Sequence, residues 1–375
     1  MKFIVDDKIP FIRGVLEKFG EVKYIPGKNV RPEDVKDADA LITRTRTKCN
    51  ESLLSGSGIS IIASATIGYD HIDTGWCEQH GIEWTNAPGC NSGSVMQYIA
   101  SVFSLLIAEK GIDLKGKKIG IVGVGNVGSK VSVVAKAFGM EVYEIDPPRQ
   151  EAEPDKTFYV LDEVAGDMDI ITFHTPLTRE GKHKTFHLFN DVLLRKLKQD
   201  VVIINSSRGE VVDNVLLKRA LNEQRTGPAV LDVWENEPDI DTGLLDKVWI
   251  GTPHIAGYSQ DGKANGTMMS VQAVSRKLQL GIDDWNPAGV PEPAEKRITI
   301  DAAGLSDNEV LAKAILHTYN VRNDDKALRE DPGKFEYLRG SYPVRREFFA
   351  YEVVLKGGDE TTARKLESLG FSVRY

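Results

Sequence analysis

The sequence predicts an α/β protein built from doubly wound domains. Three observations carry that expectation. Short apolar runs alternate with helix-patterned segments through the first 280 residues, many of those runs are unbroken, and one of them ends in a glycine-rich turn that opens a helix. Unbroken apolar runs suit parallel strands covered on both faces, and strand–helix alternation is the pattern of parallel sheets with helical crossovers.

In chain order, KFIVD, ALIT and IIASA read as strands of a first lobe. Residues 92–110 form a long helical pattern that leaves this lobe, and roughly 262–280 form a second one that returns to it. Between them KIGIVG, EVYEID, DIITFH, VVIINSS, AVLDVW and VWIGT read as strands of a second lobe, with NVGSKVSVVAKAFG and DNVLLKRALNEQ as helices. The composition shifts at NPAGVPEPAEKR, residues 286–297, a proline-rich linker. Beyond it the sequence predicts two helices, an Arg-rich stretch YPVRREF, and a closing strand, helix and strand (FAYEVVLKGG, DETTARKLESLG, FSVRY).

Composition bounds the function. The 375 residues are 41% apolar and 27% charged, with a formal net charge of -8. That balance argues against nonspecific nucleic-acid binding, which needs a basic face. It leaves room for a small anionic substrate, because a few clustered arginines set a local potential. Cys49, Cys77 and Cys90 have no CxxC spacing and read as reduced thiols of a cytoplasmic protein. MKFIVDDKIP carries acid where a signal peptide needs an apolar core, and IASVFSLLIA is too short to span a bilayer. A soluble, cytoplasmic chain is expected, with neither nucleic acid nor membrane as partner.

KIGIVGVGNVGSKV sets Gly123, Gly125 and Gly128 in a GxGxxG pattern between a strand and a helix. In that context the first glycine permits the tight turn, the second lets backbone approach a pyrophosphate, and the third allows close helix–strand packing. The following strand ends at Asp146, an acid placed to accept ribose hydroxyls and repel a 2′-phosphate. NAD is therefore the expected cofactor, while Arg149 keeps NADP open. Three later loops each follow a strand: NSSRGEVVD with Arg208, DVWENEP with Asp232 and Glu237, and TPHIAGY with His254. Together they compose a hydride-transfer site. Arg208 holds a substrate carboxylate, His254 takes the hydroxyl proton, and Glu237 fixes the imidazole tautomer.

These four motifs resemble the D-isomer-specific 2-hydroxyacid dehydrogenases over about residues 1–285. The resemblance implies a Rossmann NAD-binding domain inserted in a split flavodoxin-like substrate domain, plus a small α+β C-terminal domain for homodimerisation. The expected bounds are 1–91 and 255–285 for the substrate domain, 92–254 for the dinucleotide domain and 286–375 for the dimerisation domain. It further implies Asp232 beside the nicotinamide, and Thr175, Ser206, Ser207, Arg208 and Gly257 as cofactor contacts. ATIGYDHID, APGCN, GYSQDGK, FEYLRGSYPVRREF and TREGKHKTFHL resemble members acting on a phosphorylated hydroxy acid. By that likeness Thr45, Thr66 and Tyr258 contact substrate. Arg44 and Arg46 flank Thr45 after a first-lobe strand and suit a phosphate, although RTRT has threonine where that group carries serine.

Two rival readings stand beside this one. One is a dehydrogenase of 3-phosphoglycerate with a βαββαβ regulatory tail, and the other is a non-catalytic NAD-sensing protein on the same fold. No metal site is expected, since His183 and His187 lack the glutamate of HExxH. Cys90 reads as a turn residue rather than a nucleophile.

Overall fold

The computed structural model describes residues 1–375. Its contacts divide the chain into two compact units, residues 1–91 with 259–291 and residues 92–258 with 292–375.

The first unit is built on a five-stranded parallel sheet, β1 (Lys2–Asp6), β2 (Glu21–Ile25), β3 (Ala40–Thr43), β4 (Ile61–Ser64) and β5 (Glu83–Thr85), in the order β2-β1-β3-β4-β5. That is the flavodoxin-like order. β1, β3 and β4 are buried at every position, as their unbroken apolar runs require. β2 and β5 went unrecognised in the sequence for a physical reason. Both are edge strands, exposed or half-buried throughout, so neither needs a continuous apolar run. The helix Gln260–Leu278 covers one face, where Val271 and Val274 join Phe3, Val5, Ile42 and Ile61. Ser259 caps this helix by accepting the Gly262 N–H at 2.8 Å. Gly266 is required for its close approach, because a Cβ there would stand 2.3 Å from the Ala65 carbonyl oxygen.

The second unit holds a six-stranded parallel sheet of β6 (Lys118–Val122), β7 (Glu141–Ile145), β8 (Ile170–Phe173), β9 (Val202–Asn205), β10 (Ala229–Leu231) and β11 (Ile250–Gly251). The order β11-β10-β9-β8-β6-β7 reverses direction between β6 and β8, the switch point at which such sheets bind ligands. Beyond β7 a single backbone bond, Tyr159 N–H to the Glu144 oxygen at 2.8 Å, stands where a further strand would pair. The helix Ser92–Lys110 is buried along nearly its whole length.

The tail adds a third sheet, β12 (Arg297–Asp301), β13 (Glu352–Lys356) and β14 (Ser372–Arg374), wholly parallel in the order β12-β13-β14. β12 was not anticipated, because RITID buries only alternate residues and lies in the sequence as a polar segment. Its wholly parallel strands, joined by helices, depart from a βαββαβ module, whose adjacent second and third strands are joined directly and pair antiparallel. The helix Asp307–Thr318 packs on Ser92–Lys110, and the apolar residues of both belong to one core. Further along, Arg345 and Glu347 are buried against the start of Ser92–Lys110. The Arg345 guanidinium donates to Gln97 Oε1 at 3.0 Å, and Ser94 Oγ donates to Glu347 Oε1 at 2.9 Å.

No helix is long and apolar enough to cross a membrane.

Candidate active site

Every residue expected to do chemistry in the second unit lies at the carboxyl end of a strand, where a doubly wound sheet gathers ligands. The cofactor side begins after β6. Gly123 adopts φ +88°, and a Cβ there would meet the His174 oxygen at 2.7 Å and the Thr175 methyl at 2.9 Å. Gly128 is as constrained, since its Cβ would stand 1.9 Å from the Gly123 oxygen. Gly125 faces open space, with nothing within 4 Å of where a Cβ would lie. The three glycines thus serve turn, approach and packing. Asp146 fixes this loop: Oδ2 accepts the Val124 N–H at 2.8 Å and Oδ1 the Arg149 N–H at 3.1 Å. Arg149 itself is committed to Glu153, at 2.6 Å and 3.0 Å.

Thr175 Oγ1 is buried without a hydrogen-bond partner beside this glycine turn. A buried hydroxyl without a partner is rare and calls for a ligand. With the open space at Gly125 and the acid at Asp146, it fits a dinucleotide. Ser206 Oγ lies 3.4 Å from His174 Nδ1, and burial pushes the His174 imidazole down to about 3, so the ring is neutral. Ser207 is tied to Asn205 Oδ1 through both its N–H and its hydroxyl.

The catalytic residues come from three loops held together by backbone packing. Arg208 follows β9, and Asn205 Nδ2 donates to its carbonyl at 2.9 Å. The next residue, Gly209, lies directly on the Trp234–Glu235 backbone, where a Cβ would approach to 2.0 Å. Nothing in the local sequence announced that contact. It seats the Arg208 loop against the Trp234–Glu237 turn. In that turn Trp234 N–H donates to Glu237 Oε1 at 2.9 Å, and Trp234 Nε1 donates to the Thr252 carbonyl at 2.9 Å. Glu235 adds a second tie: its N–H donates to Asn214 Oδ1 at 3.2 Å, and its carboxylate meets His187 Nε2 at 2.6 Å.

His254 sits at φ +55°, a left-handed conformation that costs about 1–3 kcal/mol outside glycine. Asp232 holds it there. Its carbonyl accepts the His254 N–H at 2.7 Å, and its carboxylate accepts the Ile255 and Ala256 N–H groups at 2.8 Å and 2.9 Å and the Thr252 hydroxyl at 2.7 Å. Expected beside a nicotinamide, Asp232 is 1% exposed and builds the turn that aims the imidazole. The ring Nδ1 then meets Glu237 Oε2 at 2.7 Å. A carboxylate only accepts, so Nδ1 carries the proton and Nε2 presents its lone pair outward. Gly257 and Tyr258 follow in the same turn, closed by Tyr258 N–H to the Ile255 oxygen at 2.8 Å.

In the first unit, Arg44, Thr45, Arg46 and Thr66 follow β3 and β4, adjacent strands of one sheet, so the fold groups them at one edge. Arg44 is half-buried, while Thr45 and Arg46 are exposed. Burial raises the Asp6 carboxyl at the end of β1, and the Arg44 charge opposes that rise. Thr66 Oγ1 is engaged with Ser64 Oγ at 2.9 Å and the Gly68 oxygen at 3.2 Å.

His183 and His187 do not form a pair: His183 meets Glu151 at 3.2 Å. His187, Asp213 and Glu235 bring potential ligand atoms within 4.8 Å of one another, but Asp213 caps the helix Asn214–Asn222 and Glu235 accepts from His187. Cys90 is buried in a turn and outside any disulfide, its carbonyl accepting from Asn265 Nδ2 at 3.1 Å.

Comparison with known proteins agrees with this geometry. Residues 104–256 match the D-isomer specific 2-hydroxyacid dehydrogenase NAD-binding domain, and residues 290–370 match a domain of unknown function. The erythronate-4-phosphate dehydrogenase of Bacteroides fragilis is 52% identical over 95% of this chain and 99% of its own length. The chain belongs to this family of D-2-hydroxyacid dehydrogenases. The erythronate-4-phosphate dehydrogenase of Salmonella paratyphi A is 42% identical over 99% of this chain and 98% of its own. Among solved structures, the D-lactate dehydrogenase of Aquifex aeolicus, complexed with NAD and lactic acid, aligns at a TM-score of 0.63 and 25% identity. It covers 78% of this chain and 100% of its own. As a D-2-hydroxyacid dehydrogenase, the chain is an NAD-dependent oxidoreductase.

Proposed function

We propose that the chain oxidises 4-phospho-D-erythronate at C2 to 2-oxo-3-hydroxy-4-phosphobutanoate, a step of pyridoxal phosphate biosynthesis. The observation that carries this reading is the 2.7 Å pair of His254 Nδ1 and Glu237 Oε2, locked against the Arg208 loop. Relatives of that activity match the chain over nearly its full length.

NAD, when bound along Gly123–Gly128, Asp146 and Thr175, supplies the hydride acceptor. The rest is done by side chains. Arg208, permanently charged and planar, holds the substrate carboxylate in two parallel hydrogen bonds and so orients C2. His254 Nε2 accepts the C2 hydroxyl proton, because an alkoxide is otherwise too high in energy. The resulting imidazolium is stabilised by Glu237, whose second oxygen is anchored on Trp234 N–H. Ser206, Ser207, Asp232 and Gly257 are proposed as further cofactor contacts. Arg44, Thr45, Arg46, Thr66 and Tyr258 are proposed as substrate contacts, with the arginines serving the phosphate. A homodimer formed through the tail is part of the proposal, supported by exposed Tyr337, Val344, Phe349 and Tyr375 in that segment.

The test follows reduced-nicotinamide absorbance with NAD and 4-phosphoerythronate, 3-phosphoglycerate or D-lactate, with a 2-oxo acid added in parallel to reoxidise retained NADH. Preference for 4-phosphoerythronate is expected. Preference for 3-phosphoglycerate overturns the substrate, and NAD binding without any turnover overturns the enzyme.

A further inference from the structure

The tail reaches the catalytic turn. Arg345, 4% exposed, donates to the Ala256 carbonyl at 2.8 Å, two residues past His254. Its guanidinium lies 4.1 Å from the Tyr319 ring centroid. The Tyr342 ring meets the Tyr258 ring edge-on at 5.7 Å, and its hydroxyl donates to Asp324 at 2.8 Å. These contacts fix the chain at Tyr342 and Arg345, and just ahead of them the helix Phe335–Gly340 delivers Arg339.

The Arg339 guanidinium lies 5.9 Å from the Tyr258 ring centroid, with its side chain 22% exposed. One Nη donates to Glu336 at 2.9 Å, yet Nε is buried without any hydrogen-bond partner. Burial works against this charge, and Tyr258, Glu336 and Glu237 more than offset it. The cation therefore sits beside the tyrosine that follows His254, within electrostatic reach of the acid that holds it. A guanidinium carries five donors in a planar fork, and a buried donor with no acceptor calls for an explanation, which a ligand at the catalytic turn would supply.

We propose that Arg339 binds the substrate phosphate, so that the tail completes the substrate site within the same chain. The proposal rests on the phosphorylated substrate assigned above. Arg208 is taken by the carboxylate, and the phosphate, with three acceptor oxygens, takes Arg339 in addition to the Arg44 and Arg46 proposed above; the planar fork of arginine suits phosphate. The Aquifex D-lactate dehydrogenase, complexed with an acid that has no phosphate, is matched over its whole length and leaves 22% of this chain uncovered, the proportion of the chain contained in the tail. The erythronate-4-phosphate dehydrogenases of Bacteroides fragilis and Salmonella paratyphi A match 95% and 99% of the chain.

The experiment compares full-length wild type with Arg339→Ala and Arg339→Lys on 4-phosphoerythronate and on D-erythronate, with inorganic phosphate as competing anion. Arg339→Ala is expected to raise KM for 4-phosphoerythronate by at least about tenfold, as for loss of a charge-assisted hydrogen bond. It is expected to weaken inhibition by phosphate similarly, to affect D-erythronate far less, and to leave NAD affinity in place. Arg339→Lys recovers part of the loss. Should the alanine variant fail to fold, Arg339→Gln, which keeps a donor for Glu336 but no charge, gives the same reading. Equal losses on both substrates, or unchanged inhibition by phosphate, overturn the assignment alone. Wild type that prefers D-erythronate over its phosphate ester removes the proposed function and this assignment together.

Discussion

Replacing Glu237 with Gln perturbs the proton path with almost no change of shape. The two oxygens of Glu237 face two donors, His254 Nδ1–H at 2.7 Å and Trp234 N–H at 2.9 Å. Glutamine has one acceptor for these two positions. If its oxygen stays on His254, its amino group is driven at the Trp234 N–H. If it turns, the amino group faces Nδ1, the ring proton moves to Nε2, and Nε2 can no longer accept the substrate proton. Loss of a charge-assisted hydrogen bond of about 2–3 kcal/mol converts to roughly 30–150-fold in rate at about 1.36 kcal/mol per decade. A wrong tautomer in a comparable histidine–acid pair costs about 10⁴-fold. The expected fall in kcat thus lies between about 30-fold and 10⁴-fold, with NAD affinity unchanged because the glycine loop is untouched. Steady-state turnover by reduced-nicotinamide absorbance, with NAD binding measured separately, checks it. A kcat within about threefold of wild type would refute the argument that Glu237 sets the tautomer.

Three further outcomes follow from particular contacts. Gly209→Ala puts a Cβ 2.0 Å from the Trp234 carbonyl, so the Arg208 loop separates from the Glu237 turn and kcat/KM falls at least about tenfold; an unchanged value would show that the loops move independently. Asp325, its side chain 3% exposed, accepts from Arg322, Arg329 and the Gly251 N–H, so Asp325→Ala leaves Arg329 without a carboxylate, Arg322 with Glu109 alone and a buried backbone donor unpaired. A loss of about 3–5 kcal/mol is expected by urea unfolding, and a loss under about 1 kcal/mol would contradict it. His174, pushed down to about 3 by burial, stays neutral in the native state while the unfolded chain takes up a proton below 6.5. The unfolded state then binds more protons, so this group lowers stability as pH falls from about 6.5 toward about 3, by up to about 1.4 kcal/mol per pH unit. His174→Asn removes that component, and identical pH dependence of urea midpoints in variant and wild type would disprove it.

The strands read from apolar runs all formed, because a strand buried on both faces must be apolar at successive positions. β2, β5 and β12 escaped notice since an edge strand, or one buried on alternate residues, leaves no such run. The glycine turn was legible for a similar reason: turn, approach and packing are all demanded within six residues of chain. Arg208, Glu237 and His254 were legible as a chemical set, and the structure brings Glu237 and His254 into direct contact. The role of Asp232 in the His254 turn was not, because its partners at 252, 255 and 256 are reached only when β10 and β11 lie side by side.

The sequence by itself determined the doubly wound architecture, the dinucleotide turn and the chemical types of the catalytic groups, all of which rest on local periodicity or on residues close in the chain. Only the tertiary structure decided which donors and acceptors meet: Gly209 under Trp234, Asp232 behind His254, and Arg339 beside Tyr258. Such pairings depend on loops from separate strands, or a loop and a tail helix, meeting in space, and no short stretch of chain contains both partners.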